Sequence, residues 1–170
     1  MNQIDMNQID MNQINTTTSR PKPIRLADLP SRDWSYRHIF RHGQCDPAGI
    51  VYTPEFFNVF NHTVEAWFCE HLGISYYDLI GPRRIGLGYA NAHAEFFAPV
   101  RMGDQIDIFI RITRIGGKSY TLELNAMSGE VESLRGYFTT VTTDLNTHTT
   151  ISIPVEVRDA LNRYGISDKS

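Results

Sequence analysis

Between Pro54 and Leu72 the chain carries Phe56, Phe57, Phe60, Val64, Trp67, Phe68 and Leu72, separated mostly by three or four residues. That spacing puts them on one face of an α-helix, which Gly73 ends. A face so wide and so aromatic suits a helix wrapped by a curved sheet rather than one resting on a surface. The rest of the chain must supply that sheet.

From Ile85 onward the period changes to that of strands. Ile85 to Ala98 is a long run in which Gly86 and Gly88 predict a bulge or a close backbone approach. Pro99 to Asp104 reads as a turn. Ile106, Ile108, Ile110 and Ile112 then alternate with Asp107, Phe109 and Arg111, a clear period of two. Gly116-Gly117 marks a hairpin, and Lys118 to Met127 returns with Tyr120, Leu122 and Leu124 on one face. Ser128-Gly129 turns into Val131 to Thr143, rich in β-branched and aromatic residues. Upstream, Ser35 to Arg41 reads as a first strand. Ser75 to Ile80 predicts a short helix and Pro154 to Tyr164 a C-terminal one. The order is one strand, one long helix, then consecutive antiparallel strands joined by short hairpins. The class is α+β, with an antiparallel five-stranded sheet wrapped around one long central helix.

At 170 residues the chain can bury a real core without disulfides or metal. A formal net charge of -3 lacks the basic excess of nucleic-acid binders. Cys45 and Cys69 show neither metal spacing nor a disulfide framework, so the expected compartment is reducing and cytoplasmic. No run reaches the length of a membrane span, and the N-terminus has no apolar signal core. Residues 1–15 are three near-copies of one pentapeptide, too polar to fold alone. Thr16 to Pro30 continues with a linker-like composition. The reading is a disordered tail and linker over 1–33 and one domain over 34–165.

The chemistry concentrates at Gly43-Gln44-Cys45-Asp46-Pro47-Ala48-Gly49-Ile50-Val51-Tyr52-Thr53-Pro54. Asp46-Pro47-Ala48-Gly49 has the residues of a turn, with Gly49 where a positive φ is expected. Thr53-Pro54 reads as an N-cap followed by proline at the first helical position. One carboxylate thus stands just ahead of a helix start, whose free N–H groups carry partial positive charge. A base or nucleophile beside an anion-stabilising group is the minimum equipment for acyl transfer. The competing reading is an Asx turn, in which Asp46 only bonds its own backbone.

Arg41-His42-Gly43-Gln44-Cys45-Asp46-Pro47-Ala48-Gly49-Ile50-Val51, with Phe56 and Phe57 after it, resembles the signature of the 4-hydroxybenzoyl-CoA thioesterase family, whose fold is the hot-dog. The similarity covers Tyr36 to about Thr143, with a second patch at Phe97-Ala98-Pro99-Val100-Arg101-Met102-Gly103-Asp104. The resemblance implies hydrolysis of an acyl-CoA or acyl-carrier-protein thioester, with Asp46 as nucleophile or general base. It makes the Thr53 amide the donor to the carbonyl oxygen, helped by Glu55 or Phe56. Lys118 and Ser119 align with a region that contacts coenzyme A phosphates. Gln44, Gly49, Tyr52, Phe56, Phe60, Glu65, Gly88 and Tyr89 complete the expected substrate contacts. No cofactor or metal is implied. Family members form homodimers or homotetramers with active sites at the subunit interface, and Phe109 and Tyr137 are candidates for the apolar surface that assembly covers.

Glu65, on the long helix, is the internal rival of Asp46, because a second branch of hot-dog thioesterases uses an acidic helical residue. Its plainer reading is a paired or solvated carboxylate. A hot-dog dehydratase or hydratase needs a histidine paired with an acid in a different motif, which is not found. A non-catalytic acyl-CoA-binding protein on the same fold is the remaining alternative.

Overall fold

A computed structural model describes residues 20–166; the pentapeptide tail lies outside them. Strand β1 (Tyr36–Ile39) leads to helix α1 (Thr53–Ala66), which continues into a π-helical turn over Trp67–His71. Helix α2 (Tyr76–Ile80) follows, then strands β2 (Ile85–Phe96), β3 (Gln105–Ile115), β4 (Ser119–Ser128) and β5 (Val131–Asp144). A two-residue strand β6 (Thr149–Thr150) and helix α3 (Val155–Tyr164) close the chain.

The sheet is antiparallel, in the order β1-β3-β4-β5-β2, with β6 added beside β5. It is six-stranded, where five strands were expected. The hairpins at Gly116-Gly117 and Ser128-Gly129 form as predicted, joining β3 to β4 and β4 to β5. β2 does not pair with β3. Both edges of β3 are taken by β1 and β4, so β2 lies at the far edge against β5, and Phe97–Asp104 is a crossing connection. Gly86 and Gly88 do not form the bulge, which falls between Tyr89 and Asn91. Gly86 instead serves close approach: a Cβ there would come within 2.6 Å of Leu145.

The isoleucine alternation has its physical cause in the sheet's two faces. Ile106, Ile108, Ile110, Ile112, Leu122, Leu124 and Phe138 are buried against Phe56, Phe60, Trp67 and Phe68 of the central rod. The sheet curls around the helix in the hot-dog arrangement, although the rod is an α-helix completed by a π-turn rather than one uninterrupted α-helix. At Gly136 in β5 the rod packs directly on the strand: a Cβ there would meet Phe138 at 2.7 Å and Phe60 at 2.8 Å.

The outer face of the sheet differs from expectation. Phe109 is only 8% exposed, packed with Leu29 and Met127 and flanked by Ile24 and Leu26. The Ile24–Leu29 stretch, read from sequence as linker, lies on this face. Its backbone pairs at the start of β5, Leu26 N–H donating to Glu130 and Glu132 N–H to Ile24. Beneath it sits a buried polar network: the Glu132 carboxylate accepts from the Arg135 guanidinium, from Asn125 Nδ2 at 2.8 Å and from the Ile24 N–H at 3.1 Å. Phe109 is therefore covered by the chain's own N-terminal segment.

Candidate active site

The Asp46 turn is locked by its own carboxylate. Oδ1 accepts the Ala48 N–H at 2.8 Å and the Ile50 N–H at 3.2 Å. The backbone closes the same loop, with Gly49 N–H donating to the Asp46 carbonyl and Asp46 N–H to that of Ile50, both at 2.9 Å. Gly49 has φ +75°, the positive value that motivated a glycine there. The Asx-turn reading is thus correct for Oδ1. Oδ2 makes no hydrogen bond among the described residues, and the side chain is exposed.

Two strand-like contacts fix this turn against the crossing connection. Val51 N–H donates to Val100 at 2.9 Å and Met102 N–H to Gly49 at 3.1 Å. Between them opens a cleft of ≈ 300 Å³, lined by Ile50, Val51, Thr53 and Phe56 on one side and by Phe96 to Val100 on the other. The Asp46 carboxylate is one hydrogen bond from its wall, through the Ile50 N–H. The crossover that sequence mistook for a hairpin turn is what builds the second wall.

At the helix start the cap differs from the reading. Tyr52 occupies the N-cap position, Thr53 is the first helical residue and no side chain caps the helix. The Thr53 amide donates to no acceptor among the described residues. The Glu55 amide donates to Tyr52 at 2.8 Å, so it is not available as a second donor. Glu55 itself accepts from Gln44 Nε2 at 3.3 Å, while Gln44 Oε1 accepts the Arg41 N–H at 3.0 Å and lies 3.2 Å from His38 Nε2. Gln44 therefore ties β1, the turn and α1 together, and its side chain makes no hydrogen bond to Asp46 among the described residues.

The remaining expected contacts divide by position. Phe56 lines the cleft, edge to face with Phe96 at 5.5 Å. Tyr52 is 58% exposed, and neither it nor Gly49 is part of the cleft lining. Phe60, 1% exposed, is core beneath Gly136 and Phe138 rather than cleft. Gly88, Tyr89, Lys118 and Ser119 stand at the opposite end of the sheet, because Tyr89 and Ser119 flank the far half of β5. Tyr89 and the cleft residue Phe96 are seven positions apart along β2, roughly 23 Å, so one chain does not bring those four to Asp46. Lys118 Nζ is tied to the Thr150 carbonyl at 3.1 Å.

Glu65 belongs to that other end. It accepts from the Tyr77 hydroxyl at 3.3 Å. Burial first, and the Glu65 charge second, push the Tyr76 phenol up to about 12. Burial likewise raises Tyr89. Asp46 and Glu65 are thus separate in the chain, each in its own polar surroundings.

Sequence reasoning named the Phe97 to Asp104 patch for its resemblance without assigning it a site role. Its signal was two aromatics followed by a proline that stops the strand. Residues 40–161 match the family model of the thioesterase-like superfamily. The chain belongs to that superfamily. A 1,4-dihydroxy-2-naphthoyl-CoA hydrolase from Synechocystis sp. is 27% identical over 90 residues, 52% of this chain and 64% of that protein, so the match spans less than two thirds of that relative. Among solved structures, a gentisyl-coenzyme A thioesterase is 26% identical with TM-score 0.69, covering 75% of this chain and 99% of its own. A thioesterase superfamily protein from Jannaschia sp. CCS1 is 25% identical with TM-score 0.70, covering 79% and 96%.

Proposed function

We propose that this member of the thioesterase-like superfamily hydrolyses an acyl-CoA to the free acid and coenzyme A, with the reaction centred between Asp46 and the Thr53 amide. The observation that carries this is that one Asp46 carboxylate oxygen and the Thr53 N–H at the helix start both lack a hydrogen-bond partner among the described residues, with the cleft residues Ile50 and Val51 between them along the chain. The thioester carbonyl oxygen accepts from the Thr53 N–H, which gains strength as negative charge develops there. As general base, Asp46 Oδ2 takes a proton from water while the water oxygen bonds to the carbonyl carbon. The tetrahedral centre then expels sulfur, and the thiolate takes the proton back. As nucleophile, the same oxygen forms an acid anhydride and displaces the thiolate, and water cleaves the anhydride.

Support for assembly comes from the sheet edge. β2 spans 12 residues and, among the described residues, pairs only with β5, leaving its other edge without a strand partner there. A long free edge of this kind is a template for pairing, and a homodimer joined through β2 is the form in which the enzyme works.

A thiol-release assay on Asp46→Asn tests the reading. A drop in kcat of about 100-fold or more is expected from loss of the base or nucleophile, and wild-type turnover sinks Asp46 as catalyst. Single turnover in ¹⁸O-water bears on the two routes: label in the Asp46 carboxylate requires an anhydride opened by water at the Asp46 carbonyl, which the general-base route never forms. Acyl-CoA binding without thiol release favours a non-catalytic binding protein.

A further inference from the structure

Gln44 lies two residues ahead of Asp46 and brackets Thr53 from both sides. Its backbone carbonyl accepts the Tyr52 N–H at 2.8 Å, which fixes the residue before Thr53. Its side-chain Nε2 donates to a Glu55 carboxylate oxygen at 3.3 Å, which fixes the residue two after it. The other Glu55 oxygen accepts from Asn58 Nδ2 at 3.3 Å, so that carboxylate is held through both oxygens. Gln44 Oε1 is anchored in turn by the Arg41 N–H at 3.0 Å and lies 3.2 Å from His38 Nε2 on β1. A backbone N–H only donates and a carboxylate oxygen only accepts, so the orientation of the Gln44 amide is determined.

The Asp46 turn and the helix start are successive parts of one loop, closed at its base by the Cys45–Val51 bridge and the Gln44–Tyr52 bond. The bonds of Asp46 Oδ1 hold the shape of the turn, not its place relative to α1. Among the described residues, the Gln44–Glu55 bond is the side-chain hydrogen bond that joins the base of the loop to the first turn of the helix. Chemistry between a carboxylate and an oxyanion donor depends on their separation, and a misplacement of about 1 Å costs about 100-fold in rate. Building on the thioesterase reading, we propose that Gln44 is a positioning residue that sets the Asp46 carboxylate against the Thr53 N–H through Glu55, rather than the substrate contact expected of it. Its Oε1 is already engaged twice and its Nε2 once within the chain.

Exchanging the two side chains tests this, with thiol release followed from benzoyl-CoA, butyryl-CoA and decanoyl-CoA. Gln44→Glu keeps an acceptor for the Arg41 N–H but loses the donor and sets a carboxylate against Glu55. Its kcat is expected to fall by roughly 10- to 100-fold, with KM within about twofold of wild type, since no substrate contact is removed. Adding Glu55→Gln restores a donor and an acceptor with the direction of the bond reversed. The double variant is expected to recover kcat to within about threefold of wild type. A residue that merely stabilised the fold would lower Tm without this reciprocal return of turnover.

Gln44→Met removes the amide without adding charge and serves as the second single variant. The same fall in kcat at constant KM is expected of it, in protein whose circular dichroism matches wild type. Wild-type kcat in Gln44→Met, a rise in KM alone, or no recovery in the double variant overturns the inference. In those cases an active wild type and an inactive Asp46→Asn leave thioester hydrolysis standing. A wild type that releases thiol from none of these substrates overturns the thioesterase reading, and the inference with it.

Discussion

Asp46 uses its two oxygens differently, and this makes the choice of substitution decisive. Oδ1 holds the turn through the Ala48 and Ile50 N–H groups, while Oδ2 has no hydrogen-bond partner among the described residues and is the oxygen to which the proposed chemistry is assigned. Asparagine keeps a carbonyl oxygen that accepts the same two bonds, so Asp46→Asn is expected to retain the wild-type Tm while losing turnover. Asp46→Ala removes both roles, and thermal unfolding should show a Tm lower by roughly 2–4 °C for each kcal/mol of turn stability lost. Similar Tm values for Ala and Asn would mean the turn holds without the carboxylate. The tyrosines carry a second expectation at this scale. Burial raises Tyr76 and Tyr164 to about 12, the Glu65 charge adding to the former and that of Asp33 to the latter. In the unfolded chain both ionise near pH 10, so between pH 10 and 12 the unfolded state has lost protons that the folded state keeps. Stability therefore falls as pH rises through that window, by about 1.4 kcal/mol per pH unit per tyrosine, and is unaffected by these groups below pH 10. Urea midpoints measured from pH 9 to 12 check it; a flat profile would contradict the burial of both phenols.

At the scale of elements, the helix and the sheet are matched through Gly136. Phe60 and Phe138 occupy the space where its side chain would stand, so the packing there depends on the missing Cβ. Gly136→Ala forces one of those buried rings to move, at an expected cost of about 1–3 kcal/mol, readable as a shift of urea midpoint with little change of m-value. No shift would show that the rings move freely. Most of this helix was legible beforehand, since its aromatic spacing reports burial without knowledge of any partner. Its chemistry was less so. Thr53 was expected to cap, yet Tyr52 holds that position, because the chain enters from the Val51–Val100 contact rather than from the cap residue's own preference. The Phe60 ring was read as a substrate contact, but spacing along a helix cannot distinguish a core position from a cleft position one turn away.

For the whole molecule, the N-terminal segment decides which surface is free. Leu29 packs on Phe109 and Met127, and the Ile24 amide completes the hydrogen bonds of buried Glu132. Removing residues 1–15 is expected to leave both turnover and Tm unchanged, since the repeats are polar and lie ahead of this segment. Removing residues 1–30 exposes Phe109 and leaves the Glu132–Arg135 network under-satisfied, with an expected loss of roughly 2–4 kcal/mol and a gain in self-association by analytical ultracentrifugation. Equal Tm values for the two truncations would show that the segment does not hold the sheet face. The opposite ends of the sheet give the other whole-molecule lesson. Gly88 and Tyr89 were grouped with Asp46 by expecting their strand to run beside the helix start, and Lys118 and Ser119 from resemblance and phosphate chemistry; within one chain all four lie toward the other end of the sheet.

What the sequence determined by itself was local: the α+β class, the buried face of the central rod, the two tight hairpins and the aspartate turn. Each rests on periodicity or turn chemistry within about twenty residues, where neighbours along the chain are also neighbours in space. The tertiary structure alone decided that β2 crosses to the far edge, that Phe96 to Val100 thereby face the helix start, and that Ile24–Leu29 cover the outer face. Those outcomes depend on which strand edges remain unsatisfied and which apolar surface remains uncovered once the rest has folded. That competition is between distant segments, and it leaves no periodic mark on any one of them.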